Sequence, residues 1–380
     1  MHIAKCSIPK TGFSRLSLFR IAYICTASVQ IAICLILFLG ILEMTTFHAY
    51  GKILSLLVVY FSHFLAAGIL GTLFAIFVQW FRYGRSPSII LYSGVFIVVL
   101  FLILISLPLL TEQFRLQPQD IHPTPYMTLV LGILEPSPEI AFIYGLGNYA
   151  LPVLAIVSWI LTVSLLKQYS RRIGKKKFWL IVSTPLAYQL FVLAASNQNL
   201  FTDSTSVEII YSWQVQFVTA INGQISGLFF AVAFLIVGRN IRQSKMRNFF
   251  MISSVAIFSL FSSIQPGSPF YAAYPPFGLV TLVFLGLSSY MLLIGIVGAA
   301  TYVSRDNEVR KEVYKLLKTD SQILEIGMAE TRREIQQKIQ TVAQNIKSLE
   351  HDRLDFHEDP SEEDLKEMIN QVLKEVHMKK

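Results

Sequence analysis

Histidine is the side chain best suited to moving protons or holding a metal near neutral pH, and the chain has seven. Only His63 sits within a long apolar run, where an imidazole would serve a haem, a metal ion or a proton path. Bis-histidine haem needs a second axial ring and a metal site needs further donors, yet no other histidine shares such a run. A structural histidine bonded to a neighbouring helix is the simpler reading, with a ligand contact as the alternative. On the connections, His48, Asp120, His122, Glu135 and Glu139 offer a metal-like set of types. Asp-x-His in a proline-rich loop reads more simply as solvated loop. Cys6, Cys25 and Cys34 lack metal-ligand spacing and form no disulfide framework. No nucleophile–base–orienter set and no glycine-rich phosphate loop is present. No catalytic residue, metal ligand or cofactor is therefore assigned.

The other polar concentration is WQVQFVTAINGQISG, beginning at Trp213. Gln216, Thr219, Gly223 and Ser226 recur at helical spacing on one face, with Asn222 and Gln224 beside it. Gly223 and Gly227 form a GxxxG. Two readings compete: a close-packed seam between membrane helices, or the wall of a polar cavity shared with Gln189, Asn197 and Asn148. Pro152 and Pro185 are expected to kink the neighbouring helices.

The elements that must carry these residues follow from composition. Apolar residues make up 53% of the chain and charged ones only 15%, well short of the roughly 25% usual in soluble domains. Through Val303 there are 18 basic and 7 acidic residues; beyond it there are 14 and 17. A bilayer core of about 30 Å needs roughly 20 apolar helical residues. Eight runs meet or approach that length: 21–42, 53–80, 89–110, 141–166, 178–196, 215–238, 249–264 and 277–303. The fold class expected is all-α, an eight-span bundle preceded by a cytoplasmic segment (1–20) and followed by a cytoplasmic helical tail (304–380).

Orientation follows from the positive-inside rule. Sixteen cations fall in the N-terminal segment and alternate loops, including Arg82, Arg85, Lys175, Lys176, Lys177, Arg239, Lys245 and Arg247. Lys52 and Arg115 alone lie on the other side. All seven acidic residues before the tail share that cation-poor side, so both termini are placed in the cytoplasm of a cell-membrane protein. The net charge of +8 is thereby assigned to topology rather than to nucleic acid. Aromatics at run ends, among them Trp80, Tyr83, Trp179, Tyr211, Trp213 and Tyr302, read as an interfacial belt. The outer loop 111–140 contains five prolines and an apolar stretch, Tyr126–Leu134, too short to cross.

The tail reads as three helices. In the second, Ile335, Ile339, Val342, Ile346 and Leu349 alternate by four and three for about two heptads. In the third, Pro360 and Ser361 precede three acidic residues. Leu365, Met368, Ile369, Val372, Leu373 and Val376 then form an apolar stripe. So small a tail must pack on itself, on a second copy or on a cytoplasmic partner. The segments VSRDNEVRK, ILEIGMAE and EEDLKEMINQVLKEV resemble the tails of archaeal multi-pass membrane proteins of unknown function. The resemblance covers about the last 75 residues and the final run, and implies an archaeal setting without an active site.

Scarcity of charge inside the runs argues against an ion-coupled carboxylate relay. The leading expectation is a non-enzymatic sensor, binding or assembly protein whose tail relays to or docks partners. The rival is a transporter or channel for a neutral or amphipathic solute, with a membrane-embedded enzyme third.

Overall fold

With no water to bond backbone groups, a chain in hydrocarbon must satisfy each N–H and C=O within its own segment, and the helix does so. The computed structural model describes residues 13–47, 52–116, 138–167, 170, 174–197, 213–241, 243–264, 277–305, 326–333, 335–337 and 339. Within these the elements are α1 (Phe13–Phe47), α2 (Lys52–Gly84), α3 (Pro87–Leu116), α4 (Pro138–Leu166), α5 (Lys175–Asn197), α6 (Trp213–Asn240), α7 (Ser244–Ser263) and α8 (Phe277–Arg305). Residues 326–333 are also helical, and no strand occurs among the described residues.

Among the described residues six helical stretches are long and apolar enough to cross a membrane: Arg20–Phe47, Ile53–Tyr83, Pro87–Glu112, Gly145–Leu166, Ser244–Ser263 and Leu282–Ser304. The described part of α6, Gln224–Asn240, is apolar as well. Ile31 and Phe38 on α1 are each more than 60% exposed, as are Leu180 on α5 and Phe142 on α4. Apolar surface at this density suits lipid contact and would aggregate in water. The seventh sequence run was expected at 249–264. Its helix starts earlier, at Ser244, because the polar SKMRN segment supplies its first turn. Helices α4 and α5 run through Pro152 and Pro185, and α3 runs through Pro108. Pro185 lacks the N–H that would bond the Ile181 carbonyl, and the adjoining Val182 carbonyl accepts Trp159 Nε1–H at 2.8 Å.

The helices form a closed circuit in which α2 packs on α3, α3 on α4, α4 on α6, α6 on α7, α7 on α8 and α8 on α2. Helix α1 lies against α2 and α8, while α5 lies against α4 and α6. Polar side chains tie neighbours together. Tyr60 Oη–H donates to Thr111 Oγ1 across α2–α3, and Ser254 Oγ–H donates to the Ala231 carbonyl across α7–α6.

Glycines allow the tightest approach, on the α6–α7–α8 side. A Cβ on Gly295 would overlap Ser253 Oγ and stand 3.0 Å from the Phe249 carbonyl oxygen, a backbone atom with little room to yield. A Cβ on Gly71 would meet nothing within 4 Å. We expect Gly295→Ala to destabilise the bundle by about 1–3 kcal/mol in thermal unfolding in detergent. Gly71→Ala should stay within about 0.5 kcal/mol of the parent. Equal effects at the two positions would contradict this packing.

Candidate functional site

Helices α2 and α3 are joined by only two residues, Arg85 and Ser86. Arg85 takes a positive φ of 48° and donates its N–H to the Phe81 carbonyl. So short a turn sets the last turns of α2 beside the first turns of α3. Phe77 thereby contacts Trp80, Tyr92 and Phe96 at ring-centroid separations of 5.0, 5.8 and 5.2 Å. Tyr92 extends the cluster to Phe230 and Phe234 of α6, and Phe234 extends it to Phe250 of α7. The interior of the helix circuit at this end is filled with aromatic rings.

Onto this end docks a piece of chain from beyond α8. Ile326, Gly327, Ala329 and Glu330 are buried, while Met328 and Arg332 are exposed, the pattern of a helix laying one face on a surface. Gly327 lies so close to Val303 of α8 that a Cβ there would overlap its side chain. Trp80 Nε1–H donates to Glu330 Oε2 at 2.5 Å, across 250 positions of sequence. Both partners are almost inaccessible, at 0% and 1% exposed. The compact unit that contains the helices ends at Thr331, and residues 332–380 form a second. Residues 326–331 thus pack with α2 and α8.

Between the docked segment and the aromatic cluster lies a cavity of about 30 Å³ lined by Tyr92, Phe234, Phe250, Ser253, Ala300 and Ile326, among others. That volume suits one or two waters. Tyr92 Oη is buried without a hydrogen-bond partner among the described residues. Thr26 Oγ1, Gln30 Oε1 and Ser62 Oγ share that condition on α1 and α2.

His63 is buried between α2 and α3. Its Nδ1 lies 2.8 Å from the Val59 carbonyl, which can only accept, so Nδ1 carries the proton. Nε2 lies 2.8 Å from Ser106 Oγ. Ser106 also lies 2.8 Å from the Ile103 carbonyl, and its single proton serves one of the two. A neutral ring that accepts from Ser106 satisfies both nitrogens and leaves neither for a metal. Among the described residues no group of three or more His, Cys, Asp or Glu side chains gathers to hold a metal.

Of the polar set read from the sequence, Gln189 is buried on α5 and Ser226 is buried on α6, two helices that pack together. Gln216, Thr219, Asn222 and Gly223 lie on the α6 backbone, but their side chains are outside the described residues, as are those of Asn148 and Asn197. His63 belongs to a different part of the bundle. In the tail, Ile335 is exposed and Ile339 half-buried. Val342, Ile346, Leu349, Leu365, Met368, Ile369, Val372, Leu373 and Val376 lie outside the described residues. So do His48, Asp120, His122 and Glu135, and the Tyr126–Leu134 stretch.

Sequence reasoning missed the Trp80–Glu330 contact. It placed Trp80 in the interfacial belt, whereas the ring is completely buried. Trp179 is half-exposed, as a belt residue would be. A signal was available in the ILEIGMAE segment, where Ile326, Ala329 and Glu330 share a helical face interrupted by one small residue.

The fold and these contacts define a multi-pass helical membrane protein in which a segment following the last long helix is built into the bundle. Comparison with protein families, with curated proteins and with solved structures finds no match to this chain.

From the His63 geometry, Ser106→Ala should cost about 1 kcal/mol of stability, the loss of one buried hydrogen bond. Thermal unfolding of the purified protein measures it, and a variant as stable as the parent would show that this bond contributes nothing.

Proposed function

We propose that this chain is a non-enzymatic sensor, binding or assembly protein of the cell membrane. In this reading it crosses eight times with both termini in the cytoplasm, and its helical tail relays to, or docks, a cytoplasmic partner or a second copy. An archaeal setting, implied by the tail resemblance, belongs to the same reading. No nucleic acid, cofactor or catalytic step enters it.

The observation that carries the reading is the burial of Ile326, Ala329 and Glu330 against α2 and α8. A tail that begins inside the bundle core shifts when those helices shift, whereas a tail on a free tether would not. The orientation is supported by cation placement. Helices α2 and α6 end, and α5 and α7 begin, with Arg82, Arg239, Lys175 and Lys245. Counting α5 and α6 as spans brings all four cations to one side.

A second reading, a transporter or channel for a neutral or amphipathic solute, draws on the unpartnered Tyr92 hydroxyl and on the polar residues around Asn222. Solute flux into vesicles, compared with a Gln216→Ala/Asn222→Ala variant, separates it from the first.

For the relay reading, full-length protein in nanodiscs should capture a cytoplasmic partner or self-associate, and a chain ending at Thr331 should fold equally well but lose that association. Impermeant labelling should reach residues 340–380 only from the cytoplasmic side. Identical association by the truncated chain, or labelling from outside, would contradict the reading.

A further inference from the structure

The docked segment meets the bundle beside a small cavity at the edge of the aromatic cluster. Ile326 lines the cavity together with Tyr92, whose hydroxyl has no partner among the described residues. The remaining lining comes from α3, α6, α7 and α8, so Ile326 is the docked segment's share of the wall and its removal would widen that space. Glu330, four residues and about one helical turn further on, fastens the segment to Trp80.

The contact is also weakly biased. Among the described residues its buried apolar side chains are Ile326 and Ala329, with Gly327 adding close approach but no side chain. Against this stands the desolvation of a carboxyl group at 1% exposure. The polar contacts that Glu330 makes, the indole N–H among them, work against that cost. A short helix whose docked face carries a buried carboxyl group is the kind of element that opens locally without global unfolding. The neighbouring aromatic cluster is joined ring to ring across α2, α3, α6 and α7 and has no such weakness.

We propose that residues 326–331 are a removable plug, which closes the cavity beneath Tyr92 and is latched by the Trp80–Glu330 hydrogen bond. Opening withdraws Ile326 and exposes a pocket framed by Tyr92, Ser253 and Ala300. The same motion frees the start of the tail, so the state of the pocket and the state of the tail are one equilibrium. The proposal rests on the relay reading for its purpose, whereas closure itself is a property of the chain alone.

Cysteine accessibility in the full chain tests it. In nanodiscs, with Cys6, Cys25 and Cys34 replaced by serine, Ala300→Cys places a thiol in the cavity wall at a position 3% exposed in the closed form. N-ethylmaleimide is too large for a space of about 30 Å³, so its reaction rate reports opening. Ala231→Cys, equally buried on α6 but outside the cavity lining, reports general loosening. Adding Glu330→Ala should raise the rate at position 300 by about tenfold or more, as expected for losing one buried hydrogen bond, and leave position 231 unchanged. Glu330→Gln, whose amide oxygen still accepts the indole proton, should keep position 300 slow. An unchanged rate at 300 in the alanine variant would overturn the plug, and so would equal increases at 300 and 231. If the rates respond as expected but full-length protein captures no partner, the plug stands and the relay falls. If partner capture is intact but the rates do not move, the plug falls and the relay stands.

Discussion

In hydrocarbon a polar group has no water to fall back on, and that constraint orders the rest of this structure. The backbone answers it by forming helices. The small hydroxyls answer it locally: Thr72, Thr111, Thr162, Ser289 and Thr301 each donate at 2.8 Å to the carbonyl four residues earlier. Hydroxyls satisfied in this way can sit anywhere on a helix without demanding a partner. The polar groups that look beyond their own turn are therefore the informative ones. Trp80 and Glu330 find each other across the length of the chain, and His63 and Ser106 link α2 to α3.

Packing then decides where the helices may approach. Between lipid-surrounded helices the attraction comes from close van der Waals contact and interhelical hydrogen bonds. Glycines at 227, 238, 295 and 298 set the α6–α7–α8 side, each leaving room for a Phe or Ser of the facing helix. The opposite side, α2–α3, relies on aromatic rings and on side-chain bonds instead. Both sides converge at the end where residues 326–331 dock.

How much of this was legible in the sequence depends on the range of the interaction concerned. Apolar runs of 20 residues declare themselves because lipid acts on each residue independently, and six of the eight expected spans are helices long and apolar enough to cross. Helices α5 and α6 were equally legible as helices, and the side chains of residues 193–197 and 213–223 in them lie outside the described residues. The burial of Trp80 was not legible. A tryptophan near the end of a run looks the same whether it faces headgroups or a carboxylate 250 residues away. Glu330 likewise reads as one of seventeen acidic residues after Val303, most of them typical of a solvated tail. The polar face around Asn222 was legible as a pattern. Its competing readings, seam or cavity, differ only in what the side chains meet, which periodicity does not encode.

The account turns on Trp80 and Glu330 acting on each other rather than merely lying close. A double-mutant cycle of Trp80→Phe, Glu330→Ala and the pair, read by thermal or denaturant unfolding of the full chain in one detergent, measures that interaction directly. A coupling energy of about 1–3 kcal/mol is the expected result for a buried hydrogen bond to a carboxyl group. Strictly additive effects would contradict the account, for the buried carboxyl group would then contribute nothing to holding the segment on the bundle.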